Sequence, residues 1–216
     1  MNNEIILIAK ATWDTLVMTF ISGGFSFLLG VPLGVLLFLT SPGQLLKQRF
    51  LHKILSFIVN IGRSVPFIIL MVAIIPFTRF LTGSSIGTMA SLVPLTISAI
   101  PFVARITEGA IAEVPTGLIE TGYAMGATPV QIITKILLPE ALPALIHGGT
   151  LTLITLVGYT SMAGAIGGGG LGAVAINYGY QRFNGQIILM TVAILIIIVQ
   201  FLQLAGENLK ARYSHR

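Results

Sequence analysis

From Leu16 to Leu39 the chain runs without a single charged side chain. A helix crossing about 30 Å of hydrocarbon needs about 20 apolar residues, because in lipid every backbone amide and carbonyl must find its partner within the helix. Four further stretches meet that requirement: Ile54 to Phe77, Ile86 to Ala104, Ala141 to Met162, and Ile187 to Leu204. Composition points the same way. With 55% hydrophobic and 9% charged residues, the chain has too little polar surface to cover a water-soluble globule. The expected fold is an all-α integral membrane protein of five transmembrane helices, residues 1–216 forming a single transmembrane domain. Glu4 and the lack of a basic segment near the N-terminus argue against a cleaved leader, so the first span is expected to persist.

Several chemistries fall away on the same reading. The net charge of +5 comes from dispersed basic residues without interleaved aromatics, which does not make a nucleic-acid surface. There is no cysteine, and His52, His147 and His215 form no ligand-spaced pair, so no metal site is expected. Gly167, Gly169 and Gly172 satisfy G-x-G-x-x-G, but no strand or ribose-binding acid accompanies them, and no Walker A lysine follows. The stretch Gly164 to Gly172 is expected to be a flexible connection or hinge. Gly30 and Gly34 form GxxxG inside the first span, a spacing that lets helices approach closely.

Charge sets the expected orientation. In a five-span arrangement Lys47, Arg49, Lys53, Arg63, Arg105, Lys135, Lys210, Arg212 and Arg216 fall on one side, and Lys10, Arg79 and Arg182 on the other. The richer side is expected in the cytosol, with the C-terminus there and the N-terminus outside.

The longest polar connection, Arg105 to Glu140, then faces the cytosol. Pro115 and Thr116 open a short helix through Met125, and Gly126 supplies the permissive dihedral for a bend. Thr128 followed by Pro129 starts a second helix, since the hydroxyl caps free amides and proline at the first position forfeits no hydrogen bond. That helix is expected to end before Pro139. Gln131, Thr134 and Lys135 share one face of it, and Val130, Ile133 and Leu137 the other.

Glu120-Thr121-Gly122, then Gly126, then Ile136-Leu137-Leu138-Pro139 resembles the EAA(x3)G(x9)IxLP loop of ABC importer permeases, with Thr121 and Gly122 standing where that motif has alanines. The resemblance implies that Glu120, Gly126, Ala127, Thr128, Pro129, Ile136, Leu138 and Pro139 belong to a coupling loop, about 115–139, that docks on a separate ATPase subunit. The segments Asn60 to Leu70, Ile75 to Arg79, Gly122 to Pro129 and Gly158 to Gly172 look like those of bacterial methionine-uptake permeases. That family implies an inner-membrane homodimer among lipids, two ATPase subunits that bind ATP and Mg, and an external lipoprotein delivering D- or L-methionine. No catalysis and no cofactor is expected in this chain. A permease for another amino acid or small solute is the alternative. An ion-coupled secondary transporter is a further one, though no pair of matching broken helices marks internal repeats.

Three side chains are candidates for a gate or pathway. Met162 stands at the outer end of the fourth span, where an unbranched thioether can pack in both an open and a closed arrangement. His147 lies two turns into that span, and Arg63 in the first third of the second. Arg63 and Arg105 are expected near cytosolic ends, snorkelling to headgroups.

Overall fold

The computed structural model describes residues 2–42 and 48–214; Lys47, His215 and Arg216 lie outside them. Helices account for nearly all of that chain: α1 (Asn2–Thr40), α2 (Arg49–Ser64), α3 (Phe67–Ala73), α4 (Ile75–Thr82), α5 (Thr88–Ala112), α6 (Thr116–Ala124), α7 (Pro129–Ile132), α8 (Leu138–Ala165), α9 (Gly170–Val174) and α10 (Gly185–Tyr213). Two π-helical turns, Ile133–Leu137 and Ala175–Tyr180, join α7 to α8 and extend α9.

Four helical stretches are long and apolar enough to cross a membrane, and α2 with α3 makes a fifth if the bent pair counts as one span. Packing decides that count. The end of α1 lies with the end of α5, since Phe38 and Leu39 share a buried cluster with Ala110, Ile111 and Val114. The start of α5 lies at the opposite end, where the Gly87 amide donates to the Gly167 carbonyl at 2.8 Å. His52 of α2 bonds the Leu37 carbonyl, so α2 begins beside the end of α1. The segment α2–α4 therefore carries the chain from one end of the bundle to the other, and the molecule makes five passes.

The second pass, expected over Ile54 to Phe77, is not one continuous helix. It breaks at Val65–Pro66, and α2 and α3 diverge by 101°. Pro66 cannot continue the amide ladder of α2, and it biases Val65 toward the extended conformation seen there, with ψ at 123°. Other spans are longer than expected. Helix α1 begins at Asn2 rather than Leu16, α5 runs about two turns past Ala104 to Ala112 and so includes Arg105 and Glu108, and α10 continues to Tyr213.

Helix α1 packs chiefly along α5. Gly30 and Gly34 face that helix: a side chain at Gly30 would strike Val103, and one at Gly34 would strike Thr107 and the Ala104 carbonyl. Buried Ser22 and Ser26 donate to the Leu92 and Thr96 carbonyls of α5, at 3.4 and 3.2 Å. The GxxxG pair is thus used within the chain, where close approach maximises dispersion contacts that lipid cannot out-compete. Helices α8 and α10 meet where Gly206 accommodates Thr150.

The glycine cluster is packed, not a flexible hinge. Gly167, Gly169 and Gly170 take positive φ of 95°, 84° and 72°, turning the chain sharply after α8. Gly164 and Gly172 touch backbone that any side chain would displace. The Leu171 amide, fully buried, donates to Thr15 Oγ1 at 2.9 Å, and Ser91 Oγ donates to the Gly168 carbonyl. These glycines serve close backbone approach, which buries the turn against α1 and α5.

Candidate functional site

The helix–bend–helix unit forms at the end of the bundle shared by α1, α5 and α8. Helix α6 ends in a Schellman closure: Gly126, at φ +79°, donates to the Tyr123 carbonyl at 2.9 Å, and Ala127 donates to Gly122 at 3.0 Å. No atom lies within 4 Å of where a Gly126 side chain would begin, so that residue is required by its dihedral alone. Thr128 caps α7 in a reciprocal box. Its hydroxyl accepts from the Gln131 amide, the Gln131 side chain accepts from the Thr128 amide, and Pro129 fills the first helical position.

The sequence then departs from expectation. The helix does not end before Pro139. It passes through the π turn Ile133–Leu137, in which the Leu138 amide reaches back to the Ile133 carbonyl, and continues as α8. The extra residue in the π turn shifts the hydrogen-bond ladder, so Pro139 falls in the first turn of α8, where its missing amide costs nothing.

The apolar face of the unit also differs from the expected one. Ile132 and Leu137 are fully buried against Phe38, Leu39, Ile111 and Val114, with Ile133, Ile136, Leu138 and Ala127 half-buried around them. Val130, expected on that face, points outward because one short helical turn followed by a π turn rotates the face by one residue. Gly122, in place of the motif's second alanine, is buried, and a side chain there would lie 2.7 Å from Ile136 Cδ1. The substitution lets α6 close on the second arm of the unit.

The exposed surface carries Glu120, Tyr123, Met125, Val130 and Pro139. Met125 is 82% exposed. Glu120 sits beyond the first turn of α6, not early in it, so the N-terminal dipole contributes little to it; the side chain makes no hydrogen bond or ion pair among the described residues. Tyr123 and Met125 were not singled out from sequence, and Val130 was assigned there to the face that packs. Only the burial of Ile132 and Leu137 shows which apolar residues are left over.

The three gate candidates do not converge. His147 and Met162 are both exposed on α8 but 15 residues apart, about 22 Å along its axis. Arg63 is exposed in the last turn of α2, beside the bend, with more than three helical turns between it and the start of α2. It lies away from the end of the bundle that bears α6 and α7, because α2 starts near that end at Arg49 and runs to Ser64. Arg105 is no free snorkelling side chain either. It pairs with Glu108 and donates to Ser56 and to Asn60 Oδ1, the last at 2.9 Å, tying α5 to α2.

A five-pass helical membrane protein whose one end presents an exposed unit, anchored through a buried apolar cluster, is built as the membrane component of a transport system. The chain belongs to the family of binding-protein-dependent transport system inner membrane components, whose model matches residues 13–215. It is 54% identical over 216 residues, all of this chain and 95% of the other, to the probable D-methionine transport system permease protein MetI of Vibrio cholerae serotype O1. It is 58% identical over 158 residues, 73% of each, to the D-methionine transport system permease protein MetI of Escherichia coli K12. Its fold matches, with TM-score 0.98 and 50% identity over all of both chains, a solved structure described as inward-facing conformations of the MetNI methionine ABC transporter. A structure of an amino acid ABC transporter with histidines matches at TM-score 0.79 and 18% identity, over 98% of this chain and 96% of that one, a likeness of fold alone.

Proposed function

We propose that the chain is the permease subunit of an ATP-driven importer of D- and L-methionine. The observation that carries this reading is whole-chain agreement with the methionine transporter structure, at TM-score 0.98 and 50% identity. In this reading two copies of the chain enclose the pathway, two separate ATPase subunits bind ATP and Mg, and an external lipoprotein delivers the substrate. The end bearing α6 and α7 faces the cytosol and the N-terminus lies outside, in keeping with the excess of Lys and Arg at that end.

The exposed face of Glu120, Tyr123, Met125 and Val130 is the docking surface for the ATPase, with Gly126, Ala127, Thr128 and Pro129 holding the bend and Ile136, Leu138 and Pro139 joining it to the fourth pass. Burial of Ile132 and Leu137 makes the unit move with α5 and α8 as one body, so closure of the ATPases shifts the pathway between inward-open and outward-open arrangements. Met162, at the far end of α8, is a candidate gate. Arg63 and His147 are candidate pathway residues on separate levels.

Uptake of radiolabelled D- and L-methionine into proteoliposomes holding the chain, its co-expressed ATPase and the binding lipoprotein tests the reading. ATP-dependent accumulation of both is expected. Uptake that proceeds without ATP, or accumulation of other amino acids but not methionine, would overturn it.

A further inference from the structure

Beside the helix–bend–helix unit, α5, α8 and the end of α10 surround an open cavity of about 540 Å³. Arg105, Glu113, Glu140, His147 and Lys210 line it. Arg105 is committed to Glu108, Ser56 and Asn60. The side chains of the other four make no hydrogen bond or ion pair among the described residues. Two carboxylates and two basic side chains, drawn from three separate helices, thus converge on one concavity without meeting one another.

The lining is ordered along α8. Glu113 and Glu140 lie where α5 ends and α8 begins. Glu140 and His147 share one face of α8, two turns apart, and Leu151 follows a turn further along, with Ile106 packed opposite Gly148. Ala144 and Gly148 keep the wall between them low.

We propose that this cavity binds a small zwitterion with an apolar tail. The ammonium group is held by Glu113 and Glu140, the anionic oxygens by Lys210 and His147, and the tail lies on Ile106 and Leu151. Opposite charges too far apart to pair directly are bridged by a ligand bearing both signs, through charge-assisted hydrogen bonds. Because the groups are exposed, binding is weak and reversible, which suits a site from which a solute leaves. A free apolar amino acid and the headgroup of phosphatidylethanolamine share this chemistry.

The chain has no cysteine, so Ala144→Cys sets one reporter thiol in the cavity wall, and Leu151→Cys supplies a second should the first disturb folding. The rate of labelling by a soluble maleimide is measured on the full chain in detergent, and in liposomes of phosphatidylglycerol with or without phosphatidylethanolamine. Millimolar L-methionine is expected to slow labelling, and its desamino and decarboxy analogues to leave it unchanged. Glu140→Gln and Lys210→Gln should each weaken protection by about tenfold or more, the worth of one charge-assisted hydrogen bond. Slowing by phosphatidylethanolamine alone, with none added by methionine, would support the site and identify the headgroup as its occupant. A rate indifferent to both, or equal protection by an analogue lacking one charge, would overturn the proposal. Uptake measured in parallel separates the questions: transport without protection removes this site and leaves the importer reading intact, while protection without transport does the reverse.

Discussion

Gly126 and Glu120 lie six residues apart and depend on different physics. At φ +79° an L side chain is strained by about 1–2 kcal/mol, and more if β-branched, while nothing nearby would clash with it. Gly126→Val is therefore expected to lower thermal stability and uptake together, and Gly126→Asn, which tolerates the left-handed region, to restore most of both; equal loss in the two variants would remove the backbone explanation. Among the described residues Glu120 has no side-chain partner of its own to lose. Its exposed carboxylate matters only if another molecule meets it, and stranding a charge at a desolvated interface typically costs about 2–5 kcal/mol. Glu120→Gln should leave folding and membrane insertion unchanged and weaken co-purification with the ATPase subunit. Normal association in that variant would reduce Glu120 to a solvated surface residue. Arg105 belongs to a third case: its guanidinium is spent within the chain, joining α5 to α2 beside the small apolar cluster of Leu37, Val59 and Ala104.

At the level of elements, the second arm of the unit is the informative case. A four-residue helix cannot hold itself together in water, so α7 exists because its cap is reciprocal and because the π turn carries it directly into α8. Ile132 and Leu137 are the anchors of that arm. Removing a fully buried leucine side chain typically costs about 2–5 kcal/mol. Leu137→Ala is accordingly expected to loosen the unit from the bundle, raising hydrogen exchange across 116–137 while the apolar spans stay protected, and to lower coupled ATP hydrolysis. Unchanged exchange in that segment would show that the unit is held by something other than the buried cluster. The sequence revealed the cap, the bend and the two arms, since each depends on neighbours in the chain. It did not reveal the π turn, because the choice between ending a helix at Pro139 and running through it depends on where Ile132 and Leu137 find a surface to cover.

Across the whole molecule, five passes put the two ends of the bundle on opposite sides of a membrane, and the absence of cysteine gives a clean test. Met125→Cys, on the unit, should resist an impermeant thiol reagent in intact cells, and Phe183→Cys, 94% exposed at the opposite end, should react; the reverse pattern would invert the orientation. Much of this architecture was legible beforehand. Runs of about 20 apolar residues admit one solution in lipid, a helix that satisfies its own backbone. What the sequence could not decide was everything that depends on a second segment arriving at the same place. The 101° break at Pro66 carries the second pass across in pieces, the glycines of 164–172 serve as contact points rather than a hinge, and Arg105 finds Ser56 and Asn60. Periodicity and turn chemistry are local and survive in a single strand of letters. Close approach, burial and the meeting of charges from α5, α8 and α10 are properties of distance, and only the folded bundle sets those.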